Sequence, residues 1–311
     1  MDQSPQPFPQ DYIHSKSISN PTEFWGTEAQ KLVWARPPLS VLETISTPGS
    51  RSWRWFPGGE ISTTYNCLTR HVEAGHGDQT AIIWDSPVTD TYNYRISYAQ
   101  LLKDVQVLAG VLRGMGVDKG SRVLIYSELY VVKLTLDMDV HTHVKLVPMV
   151  PSALTAMLAT AHLGAIHCVV FGGFAPAECA KRIASCHPKV IVTAGCSIDG
   201  KRKMIPYLPL VREAVGLSGV KDLQILVLQR QQHRETLESG ERDWSLVVDM
   251  VQQRWRPASE KRPGNQHDTE AQKSEDLWAP VMNGVPVSSN DPLYIIYTSG
   301  ILLAFESLVQ D

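Results

Sequence analysis

From residue 122 to residue 228, short apolar runs alternate with amphipathic stretches, and few folds tolerate that pattern. Runs 122–126, 165–170, 189–193 and 224–228 are rich in Val, Ile and Leu with little polar alternation, as in strands covered on both faces. Stretches 151–163, 176–185 and 208–215 carry apolar residues at helical spacing. Consecutive βαβ units of this kind predict an α/β fold, a doubly wound, largely parallel sheet with flanking helices. One more strand is expected at 293–297, ending in Thr298-Ser299-Gly300.

Upstream the pattern differs. Pro5, Pro7, Pro9, Pro21, Pro37 and Pro38 interrupt short apolar patches, which reads as an N-terminal arm with a little helix around 21–32. Trp25, Trp34, Trp53 and Trp55 are expected to anchor this arm by burying their rings. Runs 81–84 and 92–96 predict a hairpin, and Ser97 should cap a helix running to about Met115. Leu101, Leu102, Val105, Leu108, Ala109 and Leu112 fall on one face of that helix, and Gly114 and Gly116 are expected to end it. Residues 256–276 are charged and polar with almost nothing to bury, and read as a solvated loop.

Composition narrows the function. The 29 basic and 32 acidic residues give a net charge of -3, which offers no global footprint for nucleic acid. Cys67, Cys168, Cys179, Cys186 and Cys196 form no CxxC pair, so reduced thiols in a cytosol-like compartment are expected. The N-terminus lacks the basic and apolar regions of a secretory signal, and no apolar run reaches the roughly 18–20 residues of a membrane helix. The expectation is a soluble protein that acts neither on nucleic acid nor in a membrane. His141 and His143 invite a zinc reading, but no third ligand lies nearby. Asp137 and Asp139 have no supporting partner, and His167 reads as a core or interface histidine before it reads as a base. No metal site and no catalytic residue is assigned.

Two strand-end loops carry the chemistry. Run 165–170 leads into Phe171-Gly172-Gly173-Phe174 and then a helix; in an open parallel sheet, ligands bind beyond the carboxyl ends of the strands. Glycines there admit either a close ligand or a plain structural turn. The run into Thr298-Ser299-Gly300 delivers two hydroxyls and flexible backbone N–H groups, suited to a polyphosphate or, again, to an ordinary turn. It is not a Walker A loop, since GxxxxGK[ST] is absent.

Other short motifs appear in a fixed order: Trp55-Phe56-Pro57-Gly58-Gly59, Tyr65-Asn66-Cys67-Leu68-Thr69-Arg70-His71, Gly77-Asp78, Leu163-Gly164-Ala165-Ile166-His167, Phe171-Gly172-Gly173-Phe174, Arg182-Ile183 and Tyr297-Thr298-Ser299-Gly300. In this order the chain resembles short-chain AMP-forming acyl-CoA synthetases, the acetyl-CoA/propionyl-CoA synthetase branch of the adenylate-forming ligases, over residues 20–300. Ser289-Asn290-Asp291-Pro292-Leu293-Tyr294 is similar to the propionate-type members. The resemblance implies an AMP-forming acid–thiol ligase that turns acetate or propionate into an acyl-adenylate and then an acyl-CoA, using ATP, CoA and Mg²⁺. It implies that Thr298, Ser299 and Gly300 grip the ATP phosphates, and that Phe171, Gly172, Gly173 and Arg202 meet CoA. Asp199 stands where acetate-type members have a second arginine, and Lys201 and Lys203 do not copy a guanidinium's planar fork.

Two stretches depart from the resemblance. Residues 127–147 interrupt the junction between a strand and its helix, as an extra hairpin or as an unspliced intron translated in frame would. Residues 301–311 replace the threonine- and glycine-rich continuation of the ATP loop. The expected organisation is an arm of acetyl-CoA synthetase type over 1–75, a partial AMP-binding domain over 76–300 that carries the insert, and a non-family tail over 301–311. The chain reads as a truncated large N-terminal domain, inactive as a ligase and cytoplasmic, with mitochondrial and peroxisomal sites left open. The alternative is a non-catalytic nucleotide-binding fragment that regulates or pairs with a full-length homologue.

Overall fold

The computed structural model describes residues 9–47, 49–86, 91–127, 151–198, 204–254 and 277–297. Helices α1 (Pro9–Ser19) and α2 (Pro21–Ala29) open the chain. Asn20 starts the second helix: its side-chain oxygen accepts from the Glu23 N–H, and Pro21 fits the first turn, where an N–H has no helical partner. Strands β1 (Trp34–Arg36), β2 (Leu42–Thr47), β3 (Ser50–Trp55) and β4 (Glu60–Ile61) follow, with β2 and β3 joined as an antiparallel hairpin. The tryptophans of this region are not all buried as expected. Trp53 is 58% exposed, and Trp25 and Trp55 are 40% and 41% exposed. Strands β2 and β3 pair only with each other, so among the described residues no sheet neighbour covers them. Trp25 and Trp55 instead meet edge-on, with ring centres 6.0 Å apart.

The expected hairpin forms from β5 (Thr80–Ser86) and β6 (Thr91–Ser97), and helix α3 (Tyr98–Gly114) leaves it directly. Ser97 caps the helix, its hydroxyl accepting from the Gln100 N–H at 3.2 Å. All six residues expected on its apolar face are buried. Gly114, as expected, is the last residue of the helix. A Cβ there would overlap the Trp278 indole, so the glycine makes room for a ring. Gly116, at φ 86°, turns the chain.

The central sheet is then built from β7 (Arg122–Ser127), helix α4 (Pro151–His162), β8 (Ile166–Phe171), helix α5 (Pro176–Cys186) and β9 (Val190–Ala194). A small hairpin, β10 (Cys196–Ile198) and β11 (Met204–Pro206), precedes helix α6 (Leu208–Ser218), β12 (Gln224–Leu228), β13 (Glu241–Asp243) and helix α7 (Trp244–Gln252). Strands β14 (Val287–Ser288) and β15 (Tyr294–Ile295) complete the described elements. The sheet order is β13-β12-β9-β7-β8-β15, and every pairing in it is parallel. Alternate residues of β7 serve the two faces: Val123 and Ile125 join the core under α3, α4 and α7, whereas Leu124 and Tyr126 join the core under α5 and α6. This is the doubly wound α/β architecture expected. The last strand, expected over 293–297, is only Tyr294–Ile295, and among the described residues β8 is its single sheet neighbour.

Residues 277–288 run as a strap across the first core. Val281 N–H donates to Gln106 O, Gln106 Nε2 to Met282 O, and Arg113 Nη2 to Ala279 O, at 3.0, 3.0 and 2.9 Å. Val285 N–H donates to His162 O at 2.8 Å, and β14 then pairs with β4, in a small sheet ordered β1-β4-β14. At the centre of this join His162 is wholly buried. Its Nε2 lies 2.8 Å from Val281 O, and its Nδ1 lies 2.8 Å from Thr64 Oγ1. A carbonyl only accepts, so Nε2 carries the proton and Nδ1 accepts from the threonine hydroxyl. Burial pushes the His162 pKa down, against the raising pull of the Val281 carbonyl, which keeps the ring neutral.

Residues 127–147 fall almost wholly outside the described residues, as do 256–276 and 301–311. His141, His143, Asp137 and Asp139 lie outside them too.

Candidate functional site

The site begins where β8 runs out. Phe171 to Phe174 form a tight turn closed by the Phe174 N–H on Phe171 O at 3.2 Å, and helix α5 starts two residues later. Neither glycine of the turn has a positive φ. Their need is spatial: a Cβ on Gly172 would stand 2.6 Å from Tyr207 Cε2, and one on Gly173 would overlap the Phe171 ring. The glycines therefore seat two aromatic rings of the protein itself.

Tyr126, near the end of β7 and almost fully buried, supports the turn from beneath. Its hydroxyl lies 2.9 Å from Gly172 O and 2.9 Å from Phe174 O and donates toward both. Burial pushes the phenol well above its usual range, so the group stays a donor. The hydroxyl thus occupies two carbonyls of the turn, leaving neither without a donor. Tyr207 packs beside it at 5.5 Å between ring centres and closes the β10–β11 hairpin, its N–H donating to Gly195 O at 2.8 Å. The Phe171–Gly173 turn and the base of the hairpin that carries residues 199–203 thus share one aromatic support.

Strand β15 delivers the second loop. It runs parallel to β8, Tyr294 opposite His167 and Ile295 opposite Cys168, so both strands point toward the same edge. Tyr297 closes the described part of this strand end. Its hydroxyl donates to Arg182 O at 3.3 Å, and its pKa is pushed up to about 12, mainly by burial. Thr298, Ser299, Gly300 and Arg202 lie outside the described residues, as do Asp199, Lys201 and Lys203. Of the seven residues expected to bind nucleotide, the structure therefore describes Phe171, Gly172 and Gly173.

The N-terminus of α5 lacks a side-chain cap at Ala175 and carries Glu178 in its first turn. Lys181 at 2.7 Å and Arg182 at 3.4 Å hold that carboxylate below its ordinary pKa, the Lys181 hydrogen bond contributing most. The crevice between β7 and β9, where the strand order reverses, is a narrow hollow lined by Ile125, Val192, Thr193, Ala194, Leu228 and Trp244. His167 is buried with its Nδ1 unpartnered among the described residues, and burial lowers its pKa, as befits a core histidine facing Tyr294. Cys168, Cys179, Cys186 and Cys196 are buried free thiols, and Cys67 is exposed. Among the described residues no group of three or more His, Cys, Asp or Glu side chains could hold a metal.

Sequence reasoning missed the supporting roles of Tyr126 and Tyr207. The available signal was Tyr126 itself: a phenol at the end of an otherwise aliphatic, doubly covered strand needs a partner for its hydroxyl. Arg182 was noticed only as part of a motif, without a role.

The family model described as AMP-binding enzyme matches residues 144–301, half of the chain. The chain belongs to the AMP-binding enzyme family. The model for the acetyl-coenzyme A synthetase N-terminus matches residues 10–67 of this AMP-binding enzyme chain. The mitochondrial acyl-CoA synthetase short-chain family member 3 of Rattus norvegicus is 38% identical over 91% of the chain and 34% of its own length. The acetyl-coenzyme A synthetase of Yersinia pestis is 35% identical over 94% of the chain and 38% of its own length. An uncharacterized Pseudomonas aeruginosa protein is 38% identical over 96% and 39%. The chain is thus similar to short-chain acyl-CoA synthetases and spans less than two fifths of the length of these relatives. In fold it matches an acetoacetyl-CoA synthetase from Streptomyces lividans, at TM-score 0.67 and 20% identity over 95% of this chain and 37% of that one.

Proposed function

We propose that this chain is the N-terminal part of an enzyme that activates acetate or propionate with ATP and passes the acyl group to CoA. In that reaction a carboxylate oxygen attacks the α-phosphate of ATP, pyrophosphate leaves, and the CoA thiol then displaces AMP from the acyl-adenylate. Thr298, Ser299 and Gly300 would hold the ATP phosphates, and Phe171, Gly172, Gly173 and Arg202 would meet CoA. The observation that carries this reading is the pairing of β15 with β8, which sends the strand toward Thr298 and the strand ending at Phe171 to one edge of a parallel sheet. Tyr126 supports it by tying down two carbonyls of the Phe171–Phe174 turn. Intact AMP-binding enzymes of this type use ATP, CoA and Mg²⁺; no residue described here is assigned to the metal.

The same proposal divides the chain into an arm to residue 75, a nucleotide-binding body over 76–300 and a tail outside the family pattern. It also places the protein in the cytoplasm, with mitochondrial and peroxisomal sites left open. Among the described residues no helix is long and apolar enough to cross a membrane. Expressed as these 311 residues, the protein is expected to bind nucleotide weakly and to form no acyl-CoA. A thioester assay with ATP, Mg²⁺, CoA and either acid tests this. Turnover of the order of 1–10³ s⁻¹, the range of ordinary enzymes, would overturn the claim of inactivity.

A further inference from the structure

Arg182 is a buried cation whose position the core does not explain. The residue is 5% exposed, although a guanidinium cannot shed its charge by losing a proton. Its Nη1 donates to Glu178 O at 2.6 Å and reaches the half-exposed Glu178 carboxylate at 3.4 Å, which Lys181 shares. Its Nε is buried with no hydrogen-bond partner among the described residues. An apolar side chain of similar volume would fill this space without desolvating a charge. The packing of α5 itself is supplied by Cys179, Ile183 and Cys186.

What the cation has instead is two aromatic faces from two different loops. Its guanidinium carbon lies 4.1 Å from the centre of the Phe174 ring and 5.4 Å from the centre of the Tyr297 ring. Phe174 closes the turn after β8, and Tyr297 is the residue before Thr298. The backbone repeats the link, since the Tyr297 hydroxyl donates to Arg182 O at 3.3 Å. A planar, delocalised cation suits this place because it can meet aromatic rings face-on, and a lysine ammonium cannot lie flat against them.

We infer that Arg182 is a positioning residue: wedged between Phe174 and Tyr297, it locks the Phe171–Phe174 turn to the strand leading into Thr298, so that the two loops order together. The significance rests on the proposed function, which gives CoA to one loop and ATP phosphate to the other. Arg182 would then make order at one ligand's loop depend on order at the other's.

Hydrogen–deuterium exchange on the 311-residue chain without ligand tests the lock. In Arg182→Met, exchange should rise about tenfold at 171–175 and at 293–297 together, while β7 and β9 keep their protection. In Arg182→Lys, which keeps the charge but not the flat contact, both loops should remain faster than in the wild type. A rise in only one loop, an equal rise throughout the sheet, or full rescue by lysine would each overturn the inference. Should Arg182→Met not fold, Phe174→Leu must loosen 293–297 and Tyr297→Leu must loosen 171–175; an effect confined to the mutated loop overturns it equally. Adding CoA to the wild type separates the two claims. Absence of new protection at 171–175 counts against the ligand assignment, whereas the lock is decided by the variants without ligand.

Discussion

Replacing Tyr126 by phenylalanine removes one oxygen from beneath the Phe171–Phe174 turn and leaves the ring, which is 1% exposed, in its packing. The lost hydroxyl serves two carbonyls, Gly172 O and Phe174 O, each at 2.9 Å. Gly172 is buried, so water does not readily replace the donor. Leaving a buried acceptor unpaired costs about 1–3 kcal/mol, and a domain of this size loses roughly 2–4 °C of Tm per kcal/mol. Tyr126→Phe should therefore melt about 2–12 °C below the wild type. Tyr126→Ala also empties the ring's volume and should cost about 3–5 kcal/mol. Thermal melts give the first value and urea titration the second, both followed by circular dichroism, and hydrogen exchange at 172–175 locates the change. The reasoning fails if Tyr126→Phe melts with the wild type while exchange in the turn is unaltered.

Two further outcomes follow from the buried side chains. His162 must be neutral to accept from Thr64, and its folded pKa is lowered by burial, so the unfolded chain binds the proton more readily. Its contribution to stability is complete above the unfolded value of about 6.5 and is lost as pH falls below it toward the folded pKa. Urea midpoints between pH 5 and 8 should drop on the acid side, less steeply in His162→Phe; equal slopes in the two proteins would refute the assignment. In the native protein one thiol, Cys67, should react quickly with a disulfide reagent, and the other four only after unfolding. Partial desolvation raises the pKa of this surface thiol, so its rate should still be climbing above pH 8.5; two or more fast thiols would contradict the buried placement of the other four.

Much of the sheet was legible because its residues speak locally. Ser97 announces α3 through its cap, and the doubly covered runs of β7 and β12 have no use for polar alternation. Strand β13 escaped notice because Glu241-Arg242-Asp243 is charged throughout. It is an edge strand, and Glu241 is held there by the Arg212 guanidinium at 2.7 Å, a partner twenty-nine residues away in sequence. The glycines of the candidate site were read as admitting either a ligand or a plain turn, and their immediate neighbours are Tyr207 and Phe171. Only the fold brings Tyr207 to Gly172, so no local pattern could reveal it. The tryptophans failed for the opposite reason: their apolar character is plain, but burial depends on a covering layer that β2 and β3 lack among the described residues.

The strap formed by residues 277–288 bears on how the protein is made. Synthesis proceeds from the N-terminus, so α3 and the Thr64–His162 pair leave the ribosome more than a hundred residues before Trp278, Val281 and β14. Until those arrive, Gly110 and Gly114 face an empty groove, the His162 ring lacks its carbonyl acceptor, and β4 lacks one of its two neighbours. Segments made early in this chain are thus among the last to be finished, and a growing polypeptide halted before residue 277 would carry a greasy, half-closed flank for chaperones to shield.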